Sequence, residues 1–155
     1  MRMRLTCDSF SDLRKALERG GMRETGGQLF GEQVATSEFV VTRLTVQRQV
    51  GTISRFVVDI VQAVRDAFEF FTATNRQFSR FNYIGEWHSH PSFAIAPSLT
   101  DTAAMQDLVN DTDFRGHFAV LMIARLQDEN VSCGGWVFDR SGGREPVTIE
   151  VEHES

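Results

Sequence analysis

Lysine is almost absent from this chain. Lys15 is the only one in 155 residues, so nearly all the positive charge is arginine. Biased genome composition is the simplest account; a preference for rigid, two-pronged recognition of carboxylates is the sharper one. Cysteine is scarce as well. Cys7 and Cys133 lie far apart with no CxxC between them. That argues against a disulfide framework and against a thiolate zinc site. Each cysteine is expected as a small buried hydrophobe. A long apolar run is missing, so no transmembrane helix is expected. The N-terminal MRMRLTCDSF is basic but lacks the apolar stretch of a signal peptide, and the chain reads as cytoplasmic, without a membrane role. An excess of positive charge is missing too. The formal balance is -5, which argues against nucleic acid as a partner. With no repeat, low-complexity tract or linker, residues 1–155 read as a single domain with a real core.

What is present is an interleaving of strands and helices. DSFSDLRKALERGG reads as a helix capped by Asp8 or Ser9, buried through Leu13, Ala16 and Leu17, and stopped by Gly20 and Gly21. RETGGQLFGEQ is a glycine-punctuated turn into a strand. EFVVTRLTVQRQV reads as a strand and VGTISRF as a flap or short strand. DIVQAVRDAFEFFTATNRQF is the clearest helix, with Ile60, Val61, Val64, Ala67, Phe68 and Phe71 at helical spacing. YIGEWHSH is a short strand, PSFAIAP a loop, and SLTDTAAMQDLVND a helix. GHFAVLMIARL, NVSCGGWVFD and EPVTIEVE complete the chain as strands, the first apolar throughout, as in a strand buried on both faces. The expected fold class is α/β, a central mixed β-sheet flanked by helices.

One stretch carries chemistry. In EWHSHPSFAIAPSLTD, His88 and His90 project to the same face of a strand. Neutral imidazole is the commonest metal ligand. Pro91 ends the strand, where clefts form. Asp101 falls in the first turn of the next helix and offers a third ligand. Two histidines, one carboxylate and a water make a four-coordinate zinc with an open position, the catalytic pattern. Such a zinc lowers the pKa of its water to about 7. Bland readings exist for each part. Ser98 to Asp101 is also a capping box, and a lone HxH is often polar surface. His117 and His153 read as structural or solvent-exposed. Attack on an amide further needs a base that takes the water's proton and returns it to the leaving amine. Glu86, two residues before His88, and Glu24, in RETGGQLFG, both qualify on sequence.

Together, H-S-H-P-S-F-A-I-A-P-S-L-T-D and the upstream E-T-G-G-Q-L-F-G resemble the JAMM signature of the JAB/MPN metalloprotease family. The resemblance runs from about Leu5 to Val151 in element order. It implies a JAB/MPN fold with layering similar to the cytidine deaminases. It implies zinc on His88, His90 and Asp101, Glu24 as general base and acid, and Ser98 as hydrogen-bond donor to the oxyanion. Glu86 then becomes a candidate for orienting a ligand. The implied reaction is hydrolysis of a peptide or isopeptide bond at the C-terminus of a ubiquitin-like protein. The small size and GEWHSHP resemble bacterial members. Among these are deconjugases of antiphage operons, whose conjugated target is a nucleotidyltransferase, and peptidases that trim sulfur-carrier proteins. The segment from Leu44 to Phe56, with Arg48 and Arg55, is the expected edge for docking the substrate tail. Metallo-β-lactamase-like enzymes, barrel amidohydrolases and zinc deaminases fit the pattern less well. A non-catalytic zinc-containing module that only binds a ubiquitin-like tail or a partner subunit is the competing class.

Overall fold

The computed structural model describes residues 1–47 and 60–153. The described elements are, in order, β1 (Arg2–Leu5), α1 (Cys7–Gly20), β2 (Gly26–Ala35), β3 (Glu38–Leu44), α2 (Ile60–Ala73), β4 (Phe81–Ser89), α3 (Leu99–Asn110), β5 (Phe118–Gln127), β6 (Asn130–Asp139) and β7 (Arg144–Val151). The expected flap VGTISRF and all but the first residues of the Leu44–Phe56 segment lie outside the described residues.

The strands form one mixed sheet in the order β1-β3-β2-β4-β5-β6-β7, and β7 returns to β1 to close a barrel. β1 runs parallel to both its neighbours and β4 runs parallel to β5. The C-terminal strands β5, β6 and β7 are antiparallel. The expected α/β mixed sheet with flanking helices is what forms. Its closure rests on β1, which no sequence pattern announces. Four residues, RMRL, alternating exposed and buried, are too short a pattern to stand out. Helix α1 is capped earlier than expected. Thr6, not Asp8 or Ser9, is the N-cap, its side chain accepting from the Ser9 backbone N–H. The Ser9 hydroxyl is instead buried, donating to the Val41 carbonyl 3.0 Å away, which fixes α1 to β3. Gly21 ends the helix at a φ of 56°, a conformation that favours glycine.

Two apolar clusters flank the central strands. One holds Leu13, Ala16 and Leu17 of α1 against Trp87, Val120 and Met122; the other holds Met105 and Val109 of α3 against Ala119, Leu121 and Ile123. β5 therefore feeds both clusters, which explains its unbroken apolar run. Helix α2 turns a different face inward from the one expected. Phe70 is buried and stacks on Phe30 with ring centroids 4.9 Å apart. Val64 and Phe68 are 65% and 63% exposed. The run FEFF supplies apolar residues on two adjacent stripes, and periodicity alone cannot choose between them. Both cysteines are half-buried and free rather than fully enclosed.

On β4 a bulge matters for the site. The register passes from Leu29 opposite Gly85 directly to Phe30 opposite Tyr83, leaving Ile84 as the extra residue. Ile84 and Trp87 both enter the α1 cluster, while Tyr83 packs on the α3 side. A bulge re-aims side chains in this way.

Candidate metal centre

The centre is assembled where β4 ends. The last strand residues and the loop before β2 are joined by two hydrogen bonds: the Ser89 N–H donates to the Thr25 carbonyl at 2.8 Å, and the Thr25 N–H donates to the Ser89 hydroxyl oxygen at 3.0 Å. Gly26 lies opposite His88, and a Cβ there would collide with the Trp87 carbonyl and with His88. A glycine at this point lets the two backbones meet. The result is that Glu24, itself buried, lies close enough to His90 for its charge to act on that ring.

His88 and His90 are buried, with Nε2 atoms 3.0 Å apart. Asp101 reaches both: Oδ1 is 3.5 Å from His88 Nε2 and Oδ2 is 3.5 Å from His90 Nε2. The second nitrogen of His90 is spoken for. Its Nδ1 lies 2.9 Å from the Ala94 carbonyl oxygen. A carbonyl only accepts, so Nδ1 carries a proton; Nε2 faces the cluster, donating to Asp101 when the ring is protonated and offering its lone pair to a metal when the ring is neutral. Such outer hydrogen bonds orient metal-binding imidazoles. Phe93 approaches the His90 ring edge-on at 6.1 Å between centroids.

The α3 start brings in Asp101 as the sequence suggested. Ser98 caps α3; its Oγ accepts from the Asp101 N–H at 3.1 Å, and Asp101 Oδ2 accepts from the Ser98 N–H at 2.7 Å. The capping box and the cluster use the same carboxylate. Burial works to raise the Asp101 carboxyl, but hydrogen bonds from His88, His90 and the Ser98 backbone outweigh it. The group is held well below the usual carboxylate range. The same bond to Asp101 lifts His90 above its ordinary value, against burial and with help from the Ala94 carbonyl and the charges of Asp101 and Glu24.

Do these residues fit zinc? Tetrahedral bonds of 2.0–2.1 Å put neighbouring ligand atoms about 3.3 Å apart. The two imidazole nitrogens are 3.0 Å apart, and the Asp101 carboxylate spans them with one oxygen 3.5 Å from each, so that one ligand atom from each residue lies within 4.8 Å of the others. Among the described residues, His88, His90 and Asp101 are the group that could hold a metal ion. Two imidazoles and a carboxylate suit zinc and leave one tetrahedral position for water or substrate.

Glu86 goes elsewhere. It lies on the same side of β4 as the histidines but hydrogen-bonds Tyr83, which the bulge has turned beneath it. Burial raises its carboxyl, with the His88 charge and the Tyr83 bond opposing. The Ser89–Thr25 bonds, the Ala94 carbonyl and Tyr83 were not read from the sequence. A serine between the histidines and a threonine after the glutamate were the only traces of the first.

A mixed sheet with helices on both sides and a two-histidine, one-aspartate centre at a strand end defines the class. The sequence family described as prokaryotic homologs of the JAB domain matches residues 8–136, and the chain belongs to that family. JAB-domain proteins include metalloproteases. No curated protein matches the chain in sequence. In structure it is similar to the protein DSY2949 from Desulfitobacterium hafniense, with a TM-score of 0.71 and 16% identity over 98% of this chain and 94% of that one. It is also similar to AF2198, a JAB1/MPN domain protein from Archaeoglobus fulgidus, with a TM-score of 0.49 and 17% identity over 97% and 98% of the two chains. Among the described residues no helix is long and apolar enough to cross a membrane.

Proposed function

We propose that this protein is a zinc peptidase that hydrolyses the amide or isopeptide bond at the C-terminus of a ubiquitin-like protein. The observation that carries the reading is the three-ligand cluster of His88, His90 and Asp101 with a further buried carboxylate, Glu24, whose charge acts on His90. A purely structural zinc site closes all four positions with protein atoms and has no use for such a neighbour.

When bound by His88, His90 and Asp101, zinc supplies a Lewis acid and lowers the pKa of water to about 7. Glu24 takes the proton of the attacking water and then delivers it to the leaving amine. The Ser98 Oγ already accepts the Asp101 N–H. Its own O–H is therefore free to rotate toward the substrate and donate to the oxyanion of the tetrahedral intermediate. One such donor is typically worth about 2.7–4 kcal/mol. The Ala94 carbonyl keeps His90 from rotating out of register.

The likeness of GEWHSHP to bacterial members supports deconjugation of a ubiquitin-like protein from a target, with an antiphage nucleotidyltransferase as the leading candidate target. Trimming of a sulfur-carrier precursor is the second form of the same chemistry. Each described strand already has a partner on both sides. In this reading, an incoming tail that adds as a strand pairs with the segment that follows Leu44. That segment starts beside the site: the N–H groups of Thr45 and Gln47 donate to Gln28 and Gly26 at 3.0 and 2.8 Å. Deleting residues 49–54 should raise KM for a conjugate while zinc content stays near one per chain; an unchanged KM removes this docking mode.

Glu24→Ala tests the main reading. Zinc content should be retained and cleavage of conjugates lost, monitored by intact mass spectrometry of the products. If zinc-loaded wild type cleaves none of the ubiquitin-like substrates supplied, yet binds them, the non-catalytic module is the correct description.

A further inference from the structure

A cleft of about 620 Å3 opens on the side of the sheet that carries the histidines, lined by residues of α2, α3, β2 and β4. Its walls are aromatic. Phe30 lies 6.0 Å from Phe71 and 5.9 Å from Tyr83, and Tyr83 lies 6.3 Å from Phe114, all edge to face. At the end toward the metal centre it is lined by Gln28 and Glu86, which face each other across β2 and β4, two pairs from Gly26 and His88. That end offers acceptors. Gln28 Oε1 is buried and receives no hydrogen bond, and Glu86 brings a carboxylate. The cationic residues of the cleft sit at its other end. Arg80 precedes β4 and is held by Glu32 at 2.6 Å; Arg115 precedes β5 and is exposed.

Aromatic walls suit an aliphatic stem and attract a cation over their faces. A buried acceptor without a donor is costly until something donates to it. We infer that this cleft receives a basic side chain, lysine or arginine, of the substrate polypeptide close to the scissile bond. The stem lies between the aromatic rings, and the ammonium or guanidinium donates to Gln28 Oε1 and Glu86. This rests on the peptidase reading for the word substrate, but the site itself is defined by binding.

The experiment is an NMR titration of zinc-loaded protein with butylguanidine, set against butylurea as its neutral isostere and pentanoate as an anion. Butylguanidine should shift the backbone amides of Gln28, Tyr83 and Glu86, with butylurea and pentanoate at least about tenfold weaker, as expected for a charge-dependent contact. Glu86→Gln and Gln28→Leu should each weaken butylguanidine by about fivefold or more, for loss of one charge-assisted or buried acceptor. Zinc content should be unchanged in Gln28→Leu, which keeps the test readable if Glu86→Gln sheds metal. Equal binding of butylurea, shifts confined to other surfaces, no shifts at all, or unaltered affinity in Gln28→Leu would each overturn the subsite. Because the readout is binding, a protein that fails to hydrolyse any conjugate still reports on the cleft.

Discussion

The two faces of β4 do different work. Toward α1 the strand presents Ile84 and Trp87, both buried, with the Trp87 indole N–H donating to the Thr45 carbonyl at 2.8 Å. Toward α2 and α3 it presents Tyr83, Glu86 and His88. One side is a packed apolar cluster; the other is a row of titratable groups with a cleft in front. The difference shows how a strand can be rigid and reactive at once. The apolar face fixes the backbone, and on the other face only Tyr83 adds packing, against Phe30 and Phe114. The bulge at Ile84 keeps this division, since it lets Ile84 and Trp87 share a cluster while Tyr83 joins the polar row.

This division is open to direct tests. The largest effect is expected at His88. His88→Ala should abolish stoichiometric zinc binding, measured by metal analysis of the purified protein. Its unfolding free energy should stay within about 1 kcal/mol of metal-free wild type, because no apolar packing is lost. A large drop in stability would mean that the reactive face also supports the fold. Trp87→Ala should do the reverse. Denaturant unfolding should show a loss of about 3–5 kcal/mol, while the protein that remains folded still binds one zinc per chain. Loss of zinc at full stability would dissolve the distinction. The smallest effect concerns Cys133 on β6, which packs against the α1 cluster. Burial pushes its thiol up to about 12. The thiolate is the reactive form, so alkylation of Cys133 by iodoacetamide at pH 8 should be far slower in the folded than in the denatured protein. It should accelerate as pH rises toward 12, since the folded group loses its proton only there. Folded-state alkylation at the denatured rate would show that this side is wetter than its packing implies.

The structure also shows which parts of the molecule can be read locally. The pair His88 and His90 follows from the two-residue alternation of a strand, and Ser98 with Asp101 from the three-residue geometry of a helix cap. Both are rules about near neighbours, and the capping box forms with the residues the spacing indicated. The buried run of β5 was equally legible, because apolar residues on both faces leave one physical solution. Three features were not. β1 is four residues that join β3 to β7 and bury Met3 and Leu5 in the α1 cluster. The inward face of α2 depends on Phe30 offering a ring to Phe70 rather than to Phe68. The Thr6 cap won over Asp8 and Ser9 because Val41 recruits the Ser9 hydroxyl across 32 positions of sequence.

What the sequence determined by itself is the set of ligand types, their spacing along one strand and one helix start, and the alternation of strands and helices that makes a mixed sheet. Spacing left Glu24 and Glu86 equally open as the base; the resemblance implied Glu24, and the fold shows how each glutamate is placed. Glu86 is two residues from His88, yet the bulge and Tyr83 hold it toward the cleft. Glu24 is more than sixty residues away in sequence, yet the antiparallel register of β2 on β4, sealed by Thr25 and Ser89, brings it to His90. Spacing along a chain specifies local geometry; the meeting of distant segments is set by strand register, which depends on the packing of the whole barrel.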